Sequence, residues 1–191
     1  MEFRTWIEAV GNEVTAYHCG GQIKDGFSTN HIGGGEGKQI LGPGIYFATT
    51  PGVAKMYCKY ADEPYLHTVQ LDTSNFYNPI KGTPHLDPQL DAMAVEMGFE
   101  DNWDMYQKVT QRSYVSTLGH GMGFVGAVVK TLGNQGAIAM FVKHGIQGAL
   151  EIVAGFTEFS VFDPSVITPV SSEPQFMSSL PGGSTTDMEF R

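Results

Sequence analysis

Residues 148–170 read GALEIVAGFTEFSVFDPSVITPV, and their pattern indicates how this chain folds. Strand-forming residues dominate the stretch, and Gly155 and Asp163-Pro164 interrupt it at two points. Runs of this kind, bounded by Gly, Pro and Asp, predict consecutive β-strands. The predicted strands cover residues 148–154, 158–162 and 166–170.

The N-terminal part of the chain carries three further strand patterns. They lie at 13–18 (EVTAYH), 44–48 (GIYFA) and 66–72 (LHTVQLD). A glycine-rich stretch over 20–44 predicts a long loop of the kind that covers a site. Thr49-Thr50-Pro51 predicts a helix to about residue 60, with a threonine cap and Pro at its first position.

Residues 87–144 have the spacing of helices, because apolar residues such as Leu90 and Met93 recur three and four positions apart. Strands, a helical middle and more strands predict an α+β domain over residues 1–170. Its sheet is expected to be mixed and mainly antiparallel, with the helices as an insert. Residues 171–191 are rich in Ser, Pro, Gly and Thr and predict a flexible tail.

Charge and motif spacing narrow the classes of partner. Against 11 Lys and Arg stand 20 Asp and Glu, for a formal net charge of −9. Nucleic-acid binders usually have a positive net charge, so broad binding to a nucleic-acid backbone is not expected. The net charge does not exclude a small local patch of basic residues. The six histidines form no HxxxH pair, so no metal site is predicted.

The two cysteines, Cys19 and Cys58, are not part of a CxxC pair. No disulfide is expected from them, and reduced cysteines favour a cytoplasmic protein. Residues 114–129 contain no charged side chain, but the stretch is shorter than the roughly 18 apolar residues that span a membrane, and it holds several glycines. We expect a buried helix and turn there, and no membrane partner.

Motifs spread along the chain carry a more specific signal. They are Tyr17-His18, GPGIYFA at 42–48, Ala54 with Tyr57-Cys58, and TEFSVF at 157–162. In order and spacing they resemble the ADP-ribosyltransferase fold, in the branch with a His, Tyr, Glu triad that diphtheria toxin and the poly(ADP-ribose) polymerases share. In the polymerases a second Tyr followed by Cys comes eleven residues after the Tyr of the GIYFA-like strand, and Tyr57 has that spacing from Tyr46.

The end of the chain adds to the resemblance. EFSVFDPSVI at 158–167 is similar to the closing motif of transferase domains in phage and prophage proteins. Together the matches span about residues 13–170, and they imply the split sheet of an ADP-ribosyltransferase.

The resemblance implies that NAD+ is the substrate and that His18, Tyr46 and Glu158 are the catalytic residues. His18 would bond the ribose of the adenosine half, and Tyr46 would stack on the nicotinamide ring. Glu158 would hold a ribose hydroxyl and stabilise the positive charge that develops when the bond to nicotinamide breaks.

Further NAD+-binding residues follow from the same resemblance. Tyr57 would be a second stacking residue, and backbone groups at Cys19 and Gly20 would hold the nicotinamide amide. Relatives usually have Gly directly after the His, whereas Cys19 intervenes here. Ala54 stands where the polymerases have a Ser that bonds the same amide.

Each of these residues also has a structural interpretation. Tyr46 suits a buried strand, Tyr57 a helix surface, Glu158 a solvent-facing strand position, and His18 a strand end. Their joint order and spacing favour the functional interpretation.

The expected function is a mono-ADP-ribosyltransferase that modifies a macromolecule, in the first place a protein. Phe156 lies two residues before Glu158, where the arginine-modifying branch has Glu or Gln, so arginine is not the expected acceptor. One alternative is an NAD+ glycohydrolase, in which water replaces the acceptor. Another, motivated by Cys19 and Ala54, is a non-catalytic virion-associated or interaction protein. The expected setting is a phage toxin or effector in the cytoplasm of the producing or target cell, or in the virion.

Overall fold

The computed structural model describes residues 12–31, 41–77, 88–110, 120–153 and 155–175, which form an α+β domain. Its strands are β1 (Glu13–Gly20), β2 (Ile45–Ala48), β3 (Tyr65–Asp72), β4 (Phe76–Tyr77), β5 (Gly148–Val153), β6 (Phe156–Val161) and β7 (Ile167–Pro174). Its helices are α1 (Pro51–Lys55), α2 (Pro88–Glu96), α3 (Asn102–Thr110) and α4 (His120–Lys143). The predicted order of strands, helices and strands is confirmed.

All seven strands form one sheet in the order β4-β5-β6-β2-β1-β3-β7. Every neighbouring pair is antiparallel except β4 and β5, which are parallel. The prediction of a mixed, mainly antiparallel sheet is confirmed. The helices α2 to α4 lie between β4 and β5 in the chain and form the predicted helical insert.

The sheet opens between two of its central strands. β1 pairs with β3 along its whole length, from Glu13 to Gly20. With β2 it is registered at a single pair, Tyr17 and Ala48. The last residues of β1, from His18 onward, therefore separate from β2 while they stay paired with β3.

Two apolar clusters cover the two faces of the sheet, as the alternation of side chains along strands requires. One contains the insert helices and the largest buried side chains, among them Phe124, Phe141 and Phe162. The other lies on the opposite face and includes Phe47 and Phe159. Full burial of such a side chain contributes about 1.5–3 kcal/mol, so these clusters fix the strands that flank the opening.

In the described part of the chain one helical stretch, Phe124–Lys143 in α4, is long and apolar enough to cross a membrane by length and composition. Gly133 interrupts this helix with φ 69° and ψ 175°. Phe124, Val128 and Phe141 are buried in the core of the insert. The predicted buried helix is therefore present from residue 120 onward, while residues 111–119 lie outside the described part.

The predicted helix is present, with Thr50 at its N-cap and Pro51 at its first position, but its predicted end at about residue 60 is wrong. α1 ends at Lys55, and a separate 3-10 turn covers Cys58–Tyr60. Thr50 has extended backbone geometry and makes no side-chain cap hydrogen bond. The backbone N–H groups of Tyr57 and Tyr60 donate to carbonyls three residues back, so the chain tightens instead of continuing the α-helix.

The expectation that the cysteines are reduced is also wrong for this structure, in which Cys19 and Cys58 form a disulfide. The two cysteines lie 39 positions apart in the sequence, so no short sequence motif predicts that they pair. The end of β1 and the 3-10 turn bring the two Cα atoms to 5.0 Å, within the usual range for a disulfide. The step from reduced cysteines to a cytoplasmic location therefore no longer holds.

The final strand extends beyond its predicted end. The sequence places the start of a flexible tail at residue 171, but β7 continues to Pro174 and pairs Ser171 with Thr68 and Glu173 with Leu66. β7 is an edge strand with mostly exposed side chains, and its last residues, Ser171 to Pro174, have the composition of a tail. Residues 176–191 lie outside the described part, as do residues 32–40 of the glycine-rich loop.

Gly44 offers a test of how closely the loop end before β2 packs on β6. A Cβ atom at Gly44 would lie 2.2 Å from Ser160 Oγ and 2.7 Å from the Val161 carbonyl oxygen. Because backbone must move to admit it, we expect Gly44→Ala to lower the free energy of unfolding by about 1–3 kcal/mol in urea titrations. Gly52→Ala is the matched control, since no atom lies within 4 Å of its added Cβ. Equal stability of the two variants would contradict the packing described.

Candidate active site

A row of four side chains crosses the sheet at the opening between β1 and β2. Tyr17 on β1 is registered with Ala48 on β2, Ala48 with Glu158 on β6, and Glu158 with Glu151 on β5. Cross-strand partners project from the same face of a sheet. Glu158 therefore has the small side chain of Ala48 on one side and a second carboxylate on the other.

A cleft of about 100 Å³ lies along this row. Pockets for whole drug-sized ligands have about 300–1,000 Å³, so this cleft has room for one ring-sized group. It is lined by residues of β1, β2, α1 with the turn that follows it, and β6: Tyr17, His18, Cys19, Tyr46, Phe47, Ala48, Ala54, Tyr57 and Glu158.

Six of the seven site residues named from the sequence line this cleft, and Gly20 alone is not among them. Three lining residues were missed: Tyr17, Phe47 and Ala48. Tyr17 and Ala48 could have been found from the period of two along strands, had the register of β1, β2 and β6 been known. Phe47 belongs at the same time to the apolar cluster on the opposite face.

His18 bridges the opening of the sheet. Its Nδ1 lies 2.8 Å from the Tyr46 carbonyl oxygen on β2. A carbonyl can only accept, so Nδ1 carries the proton and donates it. Burial, only partly offset by this hydrogen bond, lowers the pKa of His18 to about 4. At neutral pH the imidazole is therefore uncharged, and its Nε2 is a hydrogen-bond acceptor.

Aromatic rings hold the imidazole of His18 from several sides. The ring centroids of Phe47, Phe27 and His67 lie 5.5, 5.8 and 5.9 Å from it. Phe27 comes from the loop after β1, so the described part of that loop packs against the site. His67 Nε2 donates to the Gly21 carbonyl at 3.0 Å, which fastens the start of the same loop to β3.

Gly20 leaves room for the ring of His18 because glycine has no side chain. A Cβ atom at Gly20 would lie 2.7 Å from His18 Nε2, closer than carbon and nitrogen can approach. The glycine two residues after His18 therefore leaves room for the imidazole. Its role in this structure is to admit the ring that lines the cleft.

Tyr46 contributes its ring to the cleft while its hydroxyl holds the loop end before β2. The hydroxyl donates to the Gly42 carbonyl and accepts from the Leu41 N–H, each at 3.0 Å. Burial raises the pKa of Tyr46 well above its ordinary value, so it stays a neutral phenol. Because both hydrogen bonds are internal, the ring is fixed in place.

Tyr57 forms the exposed rim of the cleft, with 42% of its surface accessible. It precedes the 3-10 turn, and the adjacent Cys58 is bonded to Cys19 on β1. Ala54, on α1, is buried below it. Burial and then the charge of Glu158 raise the pKa of Tyr57, so it too remains uncharged at neutral pH.

Glu158 is the one acidic residue that lines the cleft, and no Lys or Arg is among the described lining residues. Burial, and secondly the charge of Glu151, raise the pKa of Glu158 above its ordinary value. Thr49 braces its strand, because Thr49 Oγ1 accepts from the Thr157 N–H at 2.8 Å and its own N–H donates to the Thr157 carbonyl. The arrangement favours a flat or cationic group beside the carboxylate of Glu158.

Comparison with known proteins adds little to this geometry. No protein-family model matches the chain, and no curated protein matches it. A solved structure titled "Crystal structure of an anti-CRISPR protein" is similar with a TM-score of 0.38 and 10% sequence identity. The match covers 85% of this chain and 96% of that one. A likeness this distant carries no argument about family or function.

The position of His18 can be tested by substitution of the glycine beside it. In an NMR titration we expect His18 to stay uncharged until the pH falls to about 4, because burial disfavours the imidazolium. Gly20→Ala should push the ring toward solvent and raise this pKa toward the ordinary value of about 6.5. Gly21→Ala is the matched control, since its Cβ would meet no atom within 4 Å. The same His18 pKa in Gly20→Ala as in the parent protein would refute the contact.

The cross-strand pair of carboxylates gives a second expectation. Glu151→Gln removes a negative charge opposite Glu158, so the ionised form of Glu158 becomes less unfavourable and its pKa should fall. The carboxylate would then persist to lower pH than in the parent protein. Carbon-detected NMR titration of Glu158 measures this shift. Glu173→Gln, on the edge strand β7, is the control and should leave the titration unchanged; an equal effect of both variants would exclude a local cause.

Proposed function

We propose that this protein is a mono-ADP-ribosyltransferase that cleaves NAD+ and transfers ADP-ribose to a macromolecular acceptor, in the first place a protein. The observation that carries the proposal is that His18, Tyr46, Tyr57 and Glu158, from separate segments of the chain, line one cleft. These are the residues that the family resemblance assigns to NAD+. Their convergence supports the resemblance independently of the motifs.

The cleft suits the nicotinamide end of NAD+ in size and charge. Its volume of about 100 Å³ matches a single flat ring, and the adenosine half would extend outside it. Nicotinamide in NAD+ is cationic, and the faces of Tyr46 and Tyr57 would each attract it by about 0.5–2 kcal/mol. The lack of a lining Lys or Arg among the described residues removes a repulsive charge.

Glu158 would act on the ribose. When the bond between C1′ and the nicotinamide nitrogen breaks, its electron pair leaves with nicotinamide and the sugar becomes an oxocarbenium-like cation. A carboxylate held against that sugar stabilises the charge, most strongly where water is partly excluded. The acceptor then forms a bond to C1′ and releases its proton.

His18 would orient the dinucleotide. Its neutral ring presents Nε2 as an acceptor, which matches a ribose hydroxyl as donor. An imidazolium could not accept that hydrogen bond. The low pKa of His18 therefore keeps the ring in the useful form throughout the physiological pH range.

The identity of the acceptor is less constrained by the cleft residues than the binding of NAD+ is. Phe156, at the start of β6, replaces the Glu or Gln that the arginine-modifying branch carries two residues before its catalytic glutamate. We therefore do not propose arginine as the acceptor. The exposed rim at Tyr57 leaves the cleft open to a macromolecule.

Incubation with labelled NAD+, alone and with cell lysate, tests the proposal. We expect a discrete labelled product, and at least about 100-fold less label with Glu158→Gln, because the variant keeps the shape but loses the charge that stabilises the cation. Glu173→Gln, on the exposed edge strand β7 two strands away from Cys19, should label like the parent protein.

Other outcomes would replace the proposal. Release of free ADP-ribose and nicotinamide without a labelled acceptor would identify an NAD+ glycohydrolase. No binding of NAD+ in calorimetry and no turnover would identify a non-catalytic protein that retains the fold.

A further inference from the structure

The disulfide joins the two residues that follow the site's His18 and Tyr57. Cys19 comes directly after His18 on β1, and Cys58 directly after Tyr57. Both cysteines are 5% exposed, and Cys19 itself lines the cleft. The bond therefore ties the segment that carries Tyr57 to the end of β1 that carries His18.

Few other contacts hold the segment that carries Tyr57. Its neighbours Met56 and Tyr60 are exposed, and its backbone hydrogen bonds are local ones between residues three apart. The apolar cluster beneath it is small: Cys19, Ala54, Cys58 and Leu66, with Tyr17 packed against it. Segments with few buried contacts open at low free energy, so the covalent link is the main constraint on this wall.

We propose that Cys19 and Cys58 form a reversible thiol–disulfide control site, at which reduction releases the Tyr57 wall and weakens ligand binding in the cleft. The inference rests on the proposed function for its ligand. It gives a role to Cys19, the residue between His18 and Gly20.

The reaction is an ordinary exchange with a dithiol. A thiolate of the dithiol attacks one sulfur of the pair and forms a mixed disulfide, and the other cysteine leaves as a thiolate that takes a proton. The second thiol of the reagent then displaces the remaining protein sulfur. Two electrons and two protons reach the protein, and the dithiol becomes a cyclic disulfide.

Ligand binding in the cleft and reduction of the disulfide should each disfavour the other. Because Cys19 lines the cleft, a bound ring limits access to its sulfur. If reduction lowers the affinity for a ligand by some factor, the ligand must disfavour reduction by the same factor. The rate and the extent of thiol release should thus both fall when nicotinamide is present.

The test uses the full chain, oxidised or treated with dithiothreitol, with nicotinamide and NAD+ as probes. We expect calorimetric affinity for both probes to fall about threefold to tenfold on reduction, since binding must then order a free aromatic side chain. Hydrogen exchange in residues 56–61 should increase, and reoxidation should restore both quantities. Cys58→Ala is the control: it should have the affinity of the reduced protein and should not respond to dithiothreitol.

The outcomes separate this inference from the proposed function. Unchanged exchange in residues 56–61 on reduction would overturn the tether, and unchanged affinity would overturn the control of binding. If the oxidised protein binds neither probe, the proposed function fails and the claim about affinity fails with it, while exchange still decides whether the disulfide constrains Tyr57. If Cys58→Ala does not fold, the cycle of reduction and reoxidation of the parent protein decides alone.

Discussion

The hydrogen bond from His18 Nδ1 to the Tyr46 carbonyl spans the point where β1 and β2 separate, and the site depends on it. Strands that separate leave backbone groups without their ladder partners, and a buried carbonyl needs another donor. The imidazole supplies that donor, which fixes its tautomer. Gly20 makes the position possible, and burial keeps the ring uncharged. This hydrogen bond thus links β1 to β2 where their ladder has ended. It also places the imidazole in the wall of the cleft and leaves Nε2 without a proton.

The rest of the cleft combines rigid and adjustable parts. Tyr46 is fixed through its hydroxyl to the loop end at Leu41 and Gly42, and Glu158 lies on a central strand. Tyr57, by contrast, is exposed and tied mainly by its neighbour's disulfide. The side of the cleft formed by Tyr46 and Glu158 is therefore held by the sheet, while the rim at Tyr57 has fewer constraints.

The sequence predicts the elements that have a simple period. Alternation or short runs of strand-forming residues locate the strands other than β4, the three- and four-residue spacing locates the insert helices, and the motif resemblance selects six residues of the cleft. It does not predict features that depend on register or long-range proximity. Glu151 faces Glu158 only because β5 and β6 pair as they do, and Cys19 meets Cys58 only because α1 ends early. β4 has two residues, too few for any periodic signal.

The central claim is that the cleft holds the nicotinamide end of NAD+. A crystal structure of the oxidised protein with a hydrolysis-resistant NAD+ analogue tests it most directly. The account predicts the nicotinamide ring against Tyr46 and Tyr57, a ribose hydroxyl within hydrogen-bond distance of Glu158, and His18 Nε2 accepting from the second ribose. An analogue bound elsewhere, or a cleft that stays empty at saturating concentration, would contradict it.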